Sequence, residues 1–228
     1  VFATVFTVVV ALLINEIQAE WGKKFVQTVL YLPHFLSWVV VASIFTLILS
    51  AGSDATGVDT STVGFINAVF LKLGIISKPV SFLTEKSTWR PVWYIIQRWK
   101  ETGWGTIIYL AALSGISPDL YEAAEIDGAG RLKQTWYITL PSLMNTILIV
   151  FILNLAKILN VFESVFVLYN ELVYSVSDVI QTYTYRKGIQ GNDYGYSTAI
   201  GLFKSVISLF LVTGADYVAK RIRGYGIV

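Results

Sequence analysis

The stretch SPDLYEAAEIDGAGRLKQTWYITLP (Ser117–Pro141) is rich in charged residues, whereas the sequence on either side of it is apolar and aromatic. Its opening serine is a favourable N-cap and Pro118 a favourable first helical residue, so a helix from Pro118 to about Ile126 is predicted. Gly128 and Gly130 are expected to end this helix in left-handed backbone conformations. Because RLKQTWYITL then predicts a second helix, the whole stretch is expected to form a helix–turn–helix.

The composition predicts an integral membrane protein, and continuous apolar runs without alternation of period two make it all-α rather than a β-barrel. Of the 228 residues, 55% are hydrophobic and only 14% are Asp, Glu, Lys or Arg, where soluble domains average about a quarter. Seven Trp, 13 Tyr and 13 Phe suit the aromatic belts at membrane surfaces. A net charge of +2 argues against nucleic acid as a partner, and one His with no Cys excludes a His-rich or Cys-ligated metal site.

Hydrophobic runs of the length that crosses a bilayer, about 20 residues, predict five spans in this sequence. Because the sequence opens already apolar at Val1, we expect it to begin inside a helix of a longer protein. His34, which follows Pro33, is expected to end a helix at the cytoplasmic surface. The predicted spans are Val1–Ile14, Leu30–Ser50, Trp89–Ile116, Ser142–Leu159 and Tyr196–Val218.

The positions of Lys and Arg predict which side of the membrane each connection faces. WGKKF follows the first span, Arg131 and Lys133 follow the third, and AKRIRG follows the fifth. Spans of alternating direction place all of these on one side, which the positive-inside rule assigns to the cytoplasm. Residues 117–141 and the carboxyl terminus are therefore predicted to be cytoplasmic, and the connections at 51–88 and 160–195 to face outward.

The spacing of residues within the charged stretch resembles that of a known family. It reads E-A-A, three residues, G, nine residues, I-x-L-P. This pattern is similar in full to the EAA loop of permeases of bacterial ATP-binding-cassette (ABC) importers. From Tyr31 onward the sequence looks most like the branch that imports sugars and oligosaccharides, especially alginate-type saccharides. The matching residues are Glu122, Ala123, Ala124, Gly128, Ile138, Leu140 and Pro141.

The resemblance implies a fold and a set of coupling residues. The chain would be a type I ABC importer permease, with about five spans here and six in the full chain. Residues 1–228 would form one permease domain in the bacterial inner membrane, crossing it several times. Residues 117–141 would form its cytoplasmic coupling loop, which in the family sits in a groove on an ATPase. The implied coupling residues are Glu122, Ala123, Ala124, Asp127, Gly128, Ile138, Leu140 and Pro141.

The resemblance also implies partners, while catalysis is expected elsewhere. The sequence has no G-x-x-x-x-G-K-[ST] phosphate-binding loop, so we expect ATP and Mg to bind an ATPase subunit, and neither an enzymatic activity nor a cofactor in this chain. The family pattern adds two ATPase subunits, a second permease and an extracytoplasmic solute-binding protein. By analogy with sugar importers, we expect the two permeases to form a heterodimer surrounded by membrane lipid.

Ionisable and amide side chains within the predicted spans suggest a polar layer. One interpretation is internal pairing, for example of Glu101 with a nearby base, or extension of a long side chain to the membrane surface. The other is that excess positive charge lines a path for an acidic saccharide such as a uronate. For the function as a whole, two alternatives to an oligosaccharide importer are an importer of another solute class and a membrane scaffold without transport. The candidate path residues are Trp93, Arg98, Lys100, Asn154, Lys157 and Lys204.

Overall fold

A computed structural model describes residues 2–52 and 63–223, and the side chains of all of these except 222 and 223. The prediction of an all-α fold is confirmed, because no strand occurs within these two ranges. The helices are α1 (Phe2–Asn15), α2 (Glu20–Tyr31), α3 (Trp38–Ile48), α4 (Phe65–Lys72), α5 (Lys86–Ser114), α6 (Pro118–Ile126), α7 (Arg131–Gln134), α8 (Leu140–Lys157), α9 (Glu163–Phe166), α10 (Tyr174–Ser177), α11 (Ile180–Tyr185) and α12 (Tyr194–Arg223).

Within the described ranges, two helical stretches are long and apolar enough to cross a membrane. They are Arg131–Asn160 and Tyr194–Arg221, and the bent pair Glu20–Phe35 and Trp38–Ile48 passes the same test when taken as one span. α1 is apolar but has only 14 residues. α5 has 29 residues, about 43 Å at 1.5 Å per residue, but charged residues near its centre interrupt its apolar sequence. The number of spans is therefore approximate.

The predicted span Leu30–Ser50 differs from the structure, where two helices meet at a bend of 102°. A 3₁₀-helical turn at Leu32–Phe35 contains Pro33, which has no N–H to donate to the preceding turn. Ser37 is extended, with φ −65° and ψ 153°, and its side chain accepts a hydrogen bond from the N–H of Val40 at 3.3 Å. The proline and the new N-cap together explain why the hydrophobic run is not one helix.

The second helix of the predicted helix–turn–helix also differs, because it continues into the following span. After α7, a π-helical turn at Thr135–Thr139 leads directly into α8. The N–H of Leu140 donates to the carbonyl of Thr135, five residues back. Pro141 follows in the first turn of α8. The wider turn accommodates a residue that cannot donate an N–H, so the proline does not end the helix.

The described residues divide into two compact units, which we call the first and second units. The first unit comprises residues of Val1–His34, Trp99–Ile158 and Phe203–Val228. Its core joins α1, α5 and α8, because Val8, Ala11 and Tyr109 are buried against residues of α8 such as Ile147. These three helices form the packed body to which the charged stretch is attached.

The second unit comprises residues of Phe35–Arg98 and Leu159–Leu202. Trp89 of α5 lies in its core, only 2% exposed, and its indole N–H donates to the carbonyl of Leu168 at 3.2 Å. Asn67 of α4 is fully buried, and its amide group donates to three carbonyls and accepts from the N–H of Val80 at 2.9 Å. This one side chain therefore satisfies backbone groups of two segments, at Leu49–Ser50 and at Val80.

Candidate functional site

The EAA segment, which we define as Ser117–Pro141, begins with the predicted helix. α6 runs from Pro118 to Ile126, as its caps predict. The Ser117 hydroxyl accepts a hydrogen bond from the N–H of Asp119 at 3.3 Å. The acidic residue in the first turn also favours this end of the helix, because the helix dipole is positive there.

A Schellman motif ends α6 at the glycine of the EAA pattern. Gly128 has φ +74°, its N–H donates to the carbonyl of Glu125 at 2.9 Å, and the N–H of Ala129 donates to the carbonyl of Ala124 at 2.8 Å. Gly130 differs from the sequence expectation, because its φ of −69° and ψ of 164° are extended and it is the N-cap of α7. Only Gly128 has the left-handed conformation predicted for both glycines.

Two hydrogen bonds hold the EAA segment in shape, and one exposed ion pair links it to the rest of the first unit. The Tyr121 hydroxyl and the Thr139 Oγ1 lie 3.0 Å apart, which links α6 to the π-helical turn. Gln134 is largely buried and donates to the carbonyl of Ala129 at 3.1 Å. Beyond the segment, the Arg131 guanidinium lies 3.6 Å from the Glu16 carboxylate, just past the end of α1. The segment is therefore a folded element rather than a solvated loop.

The EAA segment exposes large apolar side chains next to charged ones. Ile126 is 88% exposed and Leu132 is 80% exposed, and Glu122, Glu125 and Asp127 are also exposed. Ile126 lies four residues after Glu122, so the two share a face of α6. Exposed apolar residues surrounded by polar ones are typical of protein–protein contact surfaces. Sequence reasoning assigned neither Ile126 nor Leu132 to a contact surface, although the spacing of Ile126 from Glu122 was available as a signal.

The implied coupling residues divide into exposed and partly buried sets. Ala124 and Ile138 are partly buried, and so is Leu140, which packs beside the first unit's core. Ala124 also provides the carbonyl that accepts the Schellman hydrogen bond. The partly buried residues thus hold the EAA segment in shape. The exposed residues of the set are Glu122, Ala123, Asp127, Gly128 and Pro141.

The candidate path residues are distributed over both units. Trp93 and Arg98 are partly buried in the second unit. Asn154 and Lys157 are exposed near the end of α8 in the first unit, and Lys204 of α12 is partly buried there. Lys100, also in the first unit, is only 4% exposed.

Lys100 pairs inside the first unit, which corresponds to the internal pairing offered by the sequence. Its Nζ donates to the backbone carbonyl of His34 at 2.7 Å and lies 3.8 Å from Oε1 of Glu101. The other oxygen of Glu101 is 3.1 Å from Nδ1 of His34. The imidazole also stacks on Trp104, with ring centroids 4.5 Å apart and planes at 4°. His34 therefore lies in the turn that follows the end of α2, as expected, and its ring lies beside the centre of α5.

An arginine–carboxylate pair lies in the connection after α8, in the second unit. Arg186 bonds both carboxylate oxygens of Asp178, with Nη1 at 3.1 Å from Oδ1. Burial alone would raise the pKa of Asp178, but hydrogen bonds from Arg186 and Thr182 outweigh it and lower that pKa. The guanidinium also lies over the Tyr174 ring, 4.4 Å from its centroid. This pair links the residue that follows α11 to the segment that precedes it.

Comparison with known proteins identifies relatives across nearly the whole chain. The family described as "Binding-protein-dependent transport system inner membrane component" matches residues 3–224. Protein LplB of Bacillus subtilis is 42% identical over 96% of this chain, and the polygalacturonan/rhamnogalacturonan transport system permease protein YteP of the same organism is 39% identical over 96%.

A solved structure shares both sequence and fold with the chain. The bacterial alginate ABC transporter, in complex with its alginate pentasaccharide-bound periplasmic protein, contains a chain that is 38% identical and superposes with a TM-score of 0.91. That match covers 100% of this chain and 75% of the other. The present chain spans 66% of LplB and 65% of YteP, slightly less than two thirds of each. The chain belongs to the family of inner membrane components of binding-protein-dependent transport systems.

Proposed function

We propose that this chain is a transmembrane subunit of an ATP-driven importer that passes oligosaccharides across the cytoplasmic membrane. The observation that carries this proposal is the EAA segment, a capped and folded element that exposes Ile126 among carboxylates and Leu132 between two basic residues. Such a surface suits a groove on a separate ATPase subunit. A solute-binding protein would deliver the saccharide on the other side of the membrane, and a second, non-identical permease would complete the path.

The fold supports a mechanical role for the EAA segment. α5 ends at Ser114 and α6 begins at Pro118, so only three residues separate them. After the Gly128 turn, α7 continues through the π-helical turn into α8. Closure of two ATPases on ATP would therefore displace a short element that continues into two long helices. The cytoplasmic position of this segment and of the carboxyl terminus, inferred from Lys and Arg placement, is part of the proposal.

We propose an acidic oligosaccharide as the substrate class. Two of the similar proteins are described as handling polygalacturonan/rhamnogalacturonan and alginate, which are rich in uronic acids. The exposed Lys157, with Asn154 nearby on α8, offers a charge for a carboxylate and an amide for hydroxyl groups. Lys100 is less suited to contact substrate directly, since it is buried and paired.

The substrate test uses the full-length protein, reconstituted in liposomes with its ATPase, second permease and solute-binding protein. We expect oligogalacturonates or alginate oligosaccharides to stimulate ATP hydrolysis and to be taken up, and arabino-oligosaccharides and maltotriose to do neither. Lys157→Ala should raise the KM for the acidic oligosaccharide about tenfold, the loss of one charge-assisted hydrogen bond. Lys72→Ala, at an exposed lysine of α4, is the control and should leave the KM unchanged.

The docking test compares two exposed isoleucines. Ile126→Ser should weaken binding of the ATPase subunit about tenfold, the loss expected when a buried apolar contact is removed. Ile189→Ser is the matched control, because Ile189 is 56% exposed but lies in the connection after α11. Equal ATPase binding by both variants would argue against docking through the EAA segment.

In the substrate test, stimulation of ATP hydrolysis by neutral saccharides alone would indicate an importer of another solute class.

A further inference from the structure

The last turn of α2 and the turn after it are attached to the middle of α5, within the first unit. A Cβ atom placed on Gly103 would lie 1.9 Å from the carbonyl oxygen of Leu30, so the two backbones are in direct contact there. One turn earlier on α5, Lys100 Nζ donates to the carbonyl of His34 at 2.7 Å. The two contacts are made by residues three positions apart on α5, which lie on one face of the helix.

The attachment depends on a buried charge. Lys100 is 4% exposed, and its ammonium group has the Glu101 carboxylate 3.8 Å away as counter-charge. The same carboxylate holds the His34 ring at 3.1 Å, and the ring stacks on Trp104. A buried charge is costly unless it is paired and hydrogen-bonded. Removing either member of the pair therefore disturbs the position of His34, not only the charge balance.

This cluster lies at a mechanically important place in the chain. Glu101 is 15 residues from the start of α5 and 13 from its end, about 20 Å from each. The carboxyl end of α5 leads into the EAA segment after three residues. His34 lies in the 3₁₀-helical turn at which the chain bends by 102°. One cluster thus joins the helix before the EAA segment to the residues at the bend.

We propose that Lys100 and Glu101 are positioning residues for transport, which fasten the end of α2 to α5 so that α2 and the cytoplasmic half of α5 move as one body. Displacement of the EAA segment then reaches the bend through this body, and the chain flexes at 32–37 rather than between α2 and α5. The role in transport rests on the proposed function, whereas the attachment rests on the contacts alone. A polar attachment also provides a donor for the His34 carbonyl at the bend, which an apolar side chain cannot do.

The experiment measures the distance between α2 and α5 in a cysteine-free version of the full protein, assembled with its ATPase. Spin labels are placed at Thr28→Cys and Ser114→Cys, both exposed positions of the first unit. In the wild type we expect one narrow distance distribution, the same without nucleotide and in an ATP-trapped state. Lys100→Met and Glu101→Gln should broaden it and lower saccharide uptake per ATP hydrolysed on the order of tenfold.

A matched pair of control variants is available on the surface of α2. Lys24 and Glu20 form the same type of ion pair at 3.5 Å, with side chains 77% and 88% exposed. Lys24→Met and Glu20→Gln should leave both the distance distribution and the uptake per ATP unchanged, because exposed pairs contribute little. Should Lys100→Met fail to insert, Glu101→Gln, which preserves the shape of the side chain, decides the test.

Three results would overturn the proposal. The first is a narrow distribution that persists in Lys100→Met and Glu101→Gln. The second is a wild-type distance that changes between the two nucleotide states, since α2 and α5 would then not move together. The third is a broadened distribution with uptake per ATP unaltered. If no saccharide is taken up by the wild type, the proposed function fails, and the nucleotide-free distances still decide whether Lys100 and Glu101 hold α2 on α5.

Discussion

Replacement of Gly128 by alanine should weaken the EAA segment through backbone conformation alone. Gly128 has φ +74°, and a Cβ atom built there meets no other atom within 4 Å. The cost is therefore that of a left-handed conformation for an L-residue, about 1–2 kcal/mol. Gly130 offers a matched control, because its Cβ also meets nothing within 4 Å while its φ is −69°. Any residue adopts that conformation without strain.

A destabilisation of about 1–2 kcal/mol raises the population of the opened helix end about 5–30-fold. Gly128→Asn should have a smaller effect, since asparagine tolerates the left-handed region, and Gly128→Val a larger one, since β-branched residues do so least. The expected order of damage is Val, then Ala, then Asn, with Gly130→Ala close to the wild type. The size of the new side chain does not determine this order, because the space around Gly128 is open.

Two measurements in the assembled transporter test this order. Hydrogen exchange at the Ala129 amide, which bonds the Ala124 carbonyl at 2.8 Å, should accelerate in the Gly128 variants in the order given. ATP-driven uptake should fall in the same order while the protein still inserts. If Gly130→Ala is as harmful as Gly128→Ala, or if Gly128→Val behaves as the wild type, the reasoning from φ is refuted.

Three further predictions concern folding stability, one in the first unit and two in the second. Asn67→Leu should destabilise the second unit by about 3 kcal/mol, because it leaves buried backbone groups unsatisfied, and an unchanged thermal unfolding temperature in detergent would contradict this. Gly103→Ala should reduce the yield of folded protein severely, whereas Gly201→Ala, where a Cβ meets nothing within 4 Å, should be neutral or stabilising by up to about 1 kcal/mol. Since the folded-state pKa of Asp178 is lowered, its contribution is present above the ordinary value of 3.8 and is lost as the pH falls below it. Thermal stability should fall over that range more steeply in the wild type than in Asp178→Asn.

The sequence predicted the EAA segment well where local interactions control it. The bounds of α6 follow from Ser117 and Pro118, and the left-handed turn at Gly128 follows from the residue that best tolerates it. The same reasoning wrongly predicted a left-handed conformation at Gly130, because a glycine permits a positive φ without requiring one. It also predicted the second helix and the span from Ser142 as separate elements, whereas the π-helical turn joins α7 directly to α8.

The sequence by itself determined that this is an all-α membrane protein with a capped, charged element between hydrophobic runs. Hydropathy and helix caps act over a few residues and can be recognised without knowing the fold. Only the tertiary structure decided that Lys100 is buried and paired, because its acceptor, the His34 carbonyl, lies 66 residues away in the chain. Tertiary structure likewise placed Leu30 against Gly103. Which distant residues meet depends on how helices pack, and no local pattern in one sequence records it.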